Sequence, residues 1–524
     1  MEVFEVVIAL LLGGAALAAV SRRIGAPYPA LVALAGAALA LIPGTPTMTL
    51  DPQLALALFV APVLVDAAFD ASPRDLRANW RPIASLALGA VALTIVTVAL
   101  VTRWLVPDVP WAAAIALGAI VAPPDAAAAS TVLRQLRPPH RLLVILEGES
   151  LFNDASALLV YRLAVASVTI GVLSAGSVLP LLLVVTLGSI VLGVVLSRLT
   201  LAVTARISDV STAVVVQFCS TFGVWILAER LRLSGIITMV VYAMMASRRA
   251  AEIVPARIRI PAWAVWEVAV FVLNVLAFIL VGFQLKSIAA NLTAATGTRY
   301  AVVAATVCAA VIVARIVWVT AAAAVSRRRL DAVSLTPGGA AVVGWCGMRG
   351  TVTLAAALAL PTAFPYRDLI LVTAFAVVLG TLVVQGLTVR PLLLRLKLED
   401  DGMVEREVRL ARLETLRAAV AAAAQCPGAG TARLVRHRYE LQLRRAEAES
   451  ASDGAMAPGA DAGAPAAAQS EDREHDAAVV HAATQAQRHR LVQLRADGTI
   501  GDAAFQWVEE SLDWAELDWE QLLR

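Results

Sequence analysis

Apolar runs of about twenty residues recur through the first 397 positions, and short connections that carry arginines separate them. No other feature limits the fold as severely. A helix rises ~1.5 Å per residue, so crossing a hydrocarbon layer of about 30 Å takes about 20 apolar residues. On that criterion thirteen helical spans are predicted, at 3–20, 28–43, 53–70, 82–105, 109–134, 141–170, 178–205, 211–229, 233–249, 262–290, 299–325, 338–360 and 366–396. Hydrophobic residues make up 59% of the chain and charged residues 16%, which fits a polytopic membrane protein and exceeds what a soluble core needs. The first run, Val3 to Val20, lacks a basic leader and a small-residue cleavage pattern, and it is taken as a retained helix.

Connections after odd-numbered spans hold seventeen arginines, among them Arg22, Arg74, Arg141, Arg248, Arg259 and Arg327; those after even-numbered spans hold six basic residues. Basic loops stay on the cytoplasmic side, so the expectation is a multi-pass protein of the cytoplasmic membrane, with its N-terminus outside and its tail inside. A net charge of +3, with arginines set between apolar runs, gives no reason to expect a nucleic-acid partner. Cys219, Cys308, Cys346 and Cys426 show no metal or disulfide spacing and read as packing residues. The expected organisation is a membrane domain at 1–397, a helical segment at 398–450, an Ala/Gly/Pro/Ser-rich linker at 451–470 and a helical hairpin at 471–524.

An ionisable side chain at the bilayer centre costs about 2.5 to 3.5 kcal/mol even on the lenient insertion scale, so each one is a functional candidate. Six stand well inside spans: Asp66, Asp125, Glu149, Asp154, Arg315 and Arg349. Glu5, Arg162 and Glu267 lie near span ends, where snorkelling accounts for them.

In the fifth span, Pro123-Pro124-Asp125 removes two backbone donors and predicts a broken helix. The freed carbonyls then need protein, water or a cation. In the twelfth, Gly344, Gly347 and Gly350 surround Arg349 and predict a second break at similar depth. Interrupted helices at matching positions of two repeats, spans one to six and eight to thirteen, point to a midplane site. There Arg349 could offset the negative dipole ends. The sixth span carries Glu149-Ser150-Leu151-Phe152-Asn153-Asp154; spacing by four places Ser150 with Asp154 on one stripe and Glu149 with Asn153 on the next. Carboxylate, hydroxyl and carbonyl oxygens suit a hard cation.

At these residues the sequence resembles the monovalent cation:proton antiporter-1 family of Na⁺/H⁺ exchangers. The matching stretches are Phe59 to Asp70, Val121 to Ser130, Leu146 to Arg162, Val311 to Val319 and Gly344 to Pro361, in family order. The resemblance implies thirteen helices in two inverted repeats, crossed broken helices five and twelve, a dimerisation domain and elevator-like movement. It places the ion-binding aspartate at Asp154 with Ser150 beside the ion, the broken-helix aspartate at Asp125 and a further acid at Asp66. It also implies that Glu149 pairs with Arg315 to hold Asn153, and that Asn153, in place of a second aspartate, goes with one-for-one electroneutral exchange. Two departures bear on selectivity. Pro124-Asp125-Ala126 stands where many members have Thr-Asp-Pro, and Asp66 replaces a usual glutamate.

The expected activity is therefore Na⁺/H⁺ exchange, with K⁺/H⁺ exchange on the same fold as the alternative, between membrane lipids and as a homodimer. No cofactor is expected. A cation channel would want a filter loop or pore ring. A membrane enzyme built on Asp125 and Asp154 would want a Gly-rich aspartyl pair, a metal-binding histidine set or a Ser/His arrangement, and none is evident.

Overall fold

The computed structural model describes residues 2–24, 27–40, 54, 56–125, 129, 130, 133, 136, 138–170, 175–289, 294–328, 336–398, 400–425, 431–451 and 470–523. Among these residues the fold is all-α, with no strand. The linker expected at 451–470 lies, at 452–469, outside the described residues. The chain packs as two units: one of residues 1–207, 211–250 and 264–400, the other of 208–210, 251–263 and 401–524.

The first unit opens with α1 (Glu2–Ile24) and α2 (Tyr28–Ala40); a π-helical turn, Leu56–Val60, then leads into α3 (Ala61–Asp70). The short α4 (Pro73–Ala78) is capped by Ser72, whose hydroxyl accepts from the Asp75 amide, with Pro73 at its first position where no amide is needed. Next come α5 (Trp80–Leu105), α6 (Trp111–Val121), α7 (His140–Ile170), α8 (Ala175–Thr204), α9 (Val210–Arg230), α10 (Gly235–Ile253), α11 (Ala256–Ala289) and α12 (Ala294–Arg328). Two short helices, α13 (Pro337–Trp345) and α14 (Thr351–Leu358), precede α15 (Arg367–Leu396). Among the described residues, seven helices are long and apolar enough to cross a membrane.

Ser85–Ala90 within α5 is a π-helical turn, which leaves carbonyls poorly matched to the helix ladder. Neighbouring helices satisfy them: Trp318 Nε1 donates to Ser85 O at 3.0 Å and Ser156 Oγ to Ala87 O at 2.7 Å. Trp318 also lies against Gly89, where a Cβ would collide with its ring. These contacts tie α5 to α7 and α12. α6 is buried almost throughout, whereas α8 and α9 bury little of their surface.

Arg162, near a span end, pairs with Glu229 at 2.7 Å and stays half exposed. Cys219 is exposed, so it is no packing residue, and Cys346 is buried. His140 starts α7 and lies 3.2 Å from Asp75, while Arg141 donates to Asn79 at 2.9 Å. In the second unit, α16 (Met403–Gln425), α17 (Thr431–Ala451), α18 (Ser470–Ala496) and α19 (Asp502–Leu523) share apolar contacts.

Asp75 lies outside the spans. Burial pushes its carboxyl up, but the hydrogen bond and charge of His140, with Ser72 and Arg74, outweigh that and hold it below its ordinary value. A carboxylate depressed in the folded state adds stability above its unfolded pKa and loses that contribution as pH falls through the folded one. Thermal unfolding followed against pH should therefore show lower stability on acidification through the carboxylate range, and Asp75→Asn should flatten that dependence.

Candidate cation site at the helix crossing

Two helices break where their sequences predict. After α6 ends at Val121, residues 122–125 are non-helical, because Pro123 and Pro124 supply no amides. Between α13 and α14, residues 346–350 are non-helical. The breaks meet backbone to backbone: the Asp125 amide donates to Met348 O at 2.6 Å.

A broken helix exposes carbonyls at a C-terminal end and amides at an N-terminal end, and inside a membrane each such group needs a partner. Arg349, buried, donates Nε to Val121 O at 3.0 Å, Nη2 to Ala122 O at 3.3 Å and Nη1 to Gly347 O, while its amide donates to Thr381 Oγ1 at 3.0 Å. Its cation thus sits at the negative end of α6. Arg315 does the same for α13, donating Nε to Val343 O at 3.1 Å. The Asp125 carboxylate lies against Gly350, the residue preceding α14, where any Cβ would overlap it. A negative group at a helix start complements the dipole in turn.

α7 passes beside this crossing without interruption. Glu149 and Arg315 form a two-pronged buried pair at 2.5 and 2.8 Å. The Asn153 side-chain amide donates to Pro124 O at 3.1 Å and so anchors the fifth-span break. Its Oδ1 accepts no hydrogen bond among the described residues.

Asp154 is 6% exposed, and among the described residues its carboxylate has no hydrogen bond or ion pair; the charged group in its field is Asp125. Ser150, Asp125 and Asp66 are half-buried. Asp66 and Asp125 come together around Tyr28, which feels both and whose hydroxyl pairs with the Asn274 side chain. Sequence reading passed over Tyr28 and Asn274. The available signal was an amide inside the apolar run of α11.

The architecture and the motifs agree with comparisons to known proteins. A family model described as "Sodium/hydrogen exchanger, transmembrane" matches residues 6–395. The chain belongs to this sodium/hydrogen exchanger family. It is 30% identical over 513 residues to an uncharacterized Na⁺/H⁺ exchanger of Mycobacterium tuberculosis, covering 94% of this chain and 92% of that one. It is also 30% identical over 410 residues to a sodium, potassium, lithium and rubidium/H⁺ antiporter of Bacillus subtilis, covering 73% and 60%. Among solved structures, the sodium proton antiporter MjNhaP1 from Methanocaldococcus jannaschii at pH 8 shares the fold with a TM-score of 0.60 and 17% identity, over 74% of this chain and 99% of that one. This exchanger family consists of multi-pass cation/proton antiporters and is not an enzyme family.

Removing one member of a buried ion pair leaves the other charge uncompensated, at about 3 to 5 kcal/mol, whereas replacing both by apolar residues can be nearly neutral. Arg315→Met in this exchanger should therefore lower thermal stability in detergent sharply, and Glu149→Leu with Arg315→Met should recover most of the loss. Gly350→Ala should displace Asp125 and cut cation-driven proton flux in everted vesicles at least about tenfold, equivalent to ~1.4 kcal/mol.

Proposed function

We propose that this exchanger swaps Na⁺ for H⁺, one for one and electroneutrally, by alternating access across the cytoplasmic membrane, with Asp154 holding either ion. One observation carries the reading: Asp154 is a buried carboxylate without a cationic partner among the described residues, and it faces a second carboxylate, Asp125. A bare buried charge is expensive, and two neighbouring carboxylates disfavour joint ionisation. A proton or a monovalent cation relieves both costs, so the two compete for one group. Ser150 and the carbonyls freed at the breaks supply the further oxygens a hard cation needs.

Obligatory coupling follows if the helices carrying the site move only when Asp154 is neutralised, because moving it bare would carry the desolvation cost along. Glu149 cannot substitute, since Arg315 takes up both of its oxygens. Asn153 supplies no second titrating carboxylate, which supports a one-to-one ratio. The arginine distribution supports an external N-terminus and a cytoplasmic tail. The exposed apolar side chains of α8, among them Leu183, Val184, Leu187 and Val191, suit lipid or a second copy in a homodimer.

Broader selectivity that includes K⁺ is the second reading. Pro124 leaves no hydroxyl beside Asp125 and Asp66 is a methylene shorter than glutamate, both of which loosen the cavity; the Bacillus subtilis relative is named for several alkali cations.

Purified protein in liposomes with an internal pH dye tests both readings. Adding Na⁺ should move protons, Asp154→Asn should abolish the signal, and a potassium-valinomycin clamp should leave the Na⁺-driven rate unchanged. Flux that survives Asp154→Asn overturns the assignment. A larger response to K⁺ than to Na⁺ selects the second reading.

A further inference from the structure

Glu149, Asn153 and Ser156 stand four and three residues apart on α7, so they share one face of that helix. Each is bound to a different element. Glu149 pairs with Arg315 of α12, the Asn153 side-chain amide donates to Pro124 O at the fifth-span break, and the Ser156 hydroxyl donates to Ala87 O of α5 at 2.7 Å. Ser150 and Asp154, also four apart, lie on the neighbouring face. Ser156 Oγ donates to Asn153 O as well, at 2.8 Å. One hydroxyl hydrogen is therefore shared between α5 and the carbonyl that immediately precedes Asp154.

The acceptor on α5 is an unusual one. Ala87 lies in the π-helical turn Ser85–Ala90, whose carbonyls are poorly matched to the helix ladder and need outside donors in an apolar layer. Two faces of α5 are engaged around this turn. Ile83 and Ala87, four apart, meet α7, where a Cβ on Gly148 would stand 2.7 Å from Ile83 Cδ1. Ser85 and Gly89, four apart, meet α12 through Trp318, whose Nε1 donates to Ser85 O at 3.0 Å and reaches Ser85 Oγ at 3.2 Å. Trp318 follows Arg315 by three residues, so one face of α12 serves both the π-turn and Glu149. α5, α7 and α12 thus close a triangle of polar contacts, and all three helices belong to the membrane unit.

We infer that Ser156 is a positioning residue: its hydrogen bond to the π-turn of α5 sets the rotation of α7 about its own axis at Asp154, and so the placement of that carboxylate relative to Asp125. Asp154 stands between the Asn153 and Ser156 anchors, one and two residues from them, so the two together fix its direction around the helix. Without the hydroxyl, Ala87 O loses its donor from α7 and the π-turn is free to relax toward an ordinary helical turn. α7 can then roll about the Asn153 anchor. A rolled helix keeps its carboxylate but presents it less well to a cation, and apparent affinity falls while the maximal rate is kept. The transport consequence rests on the assignment of Asp154 under the proposed function; the anchor itself does not.

The test uses the full chain as Ser156→Ala, Ser156→Thr, Trp318→Phe, and Ser156→Ala with Trp318→Phe. Melting temperature in detergent reads the anchor, and proton flux in liposomes driven by Na⁺ and, in parallel, by K⁺ reads its consequence. Ser156→Ala should lower the melting temperature and raise the apparent KM for the driving cation about three- to tenfold, the size of coupling between contacting residues, with the maximal rate held within about twofold. Ser156→Thr, which keeps the hydroxyl, should restore both. Trp318→Phe removes the donor to Ser85 O and should raise KM in the same direction, and the combined variant should fall short of the product of the two single changes because both act on one turn. An unchanged melting temperature in Ser156→Ala overturns the anchor. A lowered melting temperature with an unchanged KM, or with a lower maximal rate alone, overturns the positioning role, as does a KM that rises equally in Ser156→Ala and Ser156→Thr. Single changes that multiply in full overturn the part given to the π-turn. Flux that survives Asp154→Asn in the same liposomes overturns the assignment of Asp154 and leaves the melting result for Ser156 standing.

Discussion

Two helices end in the middle of the membrane domain, and the rest of the site depends on how those ends are satisfied. Unpaired backbone groups are intolerable in hydrocarbon, so breaking a helix there commits nearby side chains to repair it. Arg349 covers Val121 O and Ala122 O at the end of α6, and Arg315 covers Val343 O near the end of α13. Each half-helix thus terminates on a guanidinium. Asp125, against Gly350, stands at the opposite pole, where α14 begins. The crossing is held by charges that answer dipoles, and the breaks can persist without water filling every gap.

That repair determines what is left for chemistry. Glu149 and Asp154 lie five residues apart on the same helix and are both buried. Arg315 takes both oxygens of Glu149, while Arg349 spends its side-chain donors on carbonyls. Asp154 is the buried carboxylate that neither arginine reaches. Asn153 contributes differently from its neighbour, binding Pro124 O and so tying α7 to the break beside it.

Much of this was legible in the sequence, because lipid imposes a coarse and strict rule on length and polarity. The proline pair and the glycines around Arg349 marked both breaks, Glu149 and Arg315 stood out as charges inside spans, and the family resemblance implied their pairing. Less visible were features that depend on packing between helices distant in sequence. The π-helical turn at Ser85–Ala90 has no compositional mark; Trp318 and Ser156 from other helices make it tolerable. Tyr28 gains meaning only through Asn274 on α11. Arg259 reads in sequence as one more basic loop residue, and its acidic partners lie some 250 positions later. The pairing of His140 with Asp75, across 65 positions, is likewise a tertiary fact.

The division between fixed and unfixed charge also bears on sign. Glu149 and Arg315 cancel, and Arg349 offsets one of the three carboxylates of Asp66, Asp125 and Asp154. With the aspartates ionised the sum stays negative, so in a low-dielectric space the crossing attracts cations and repels anions.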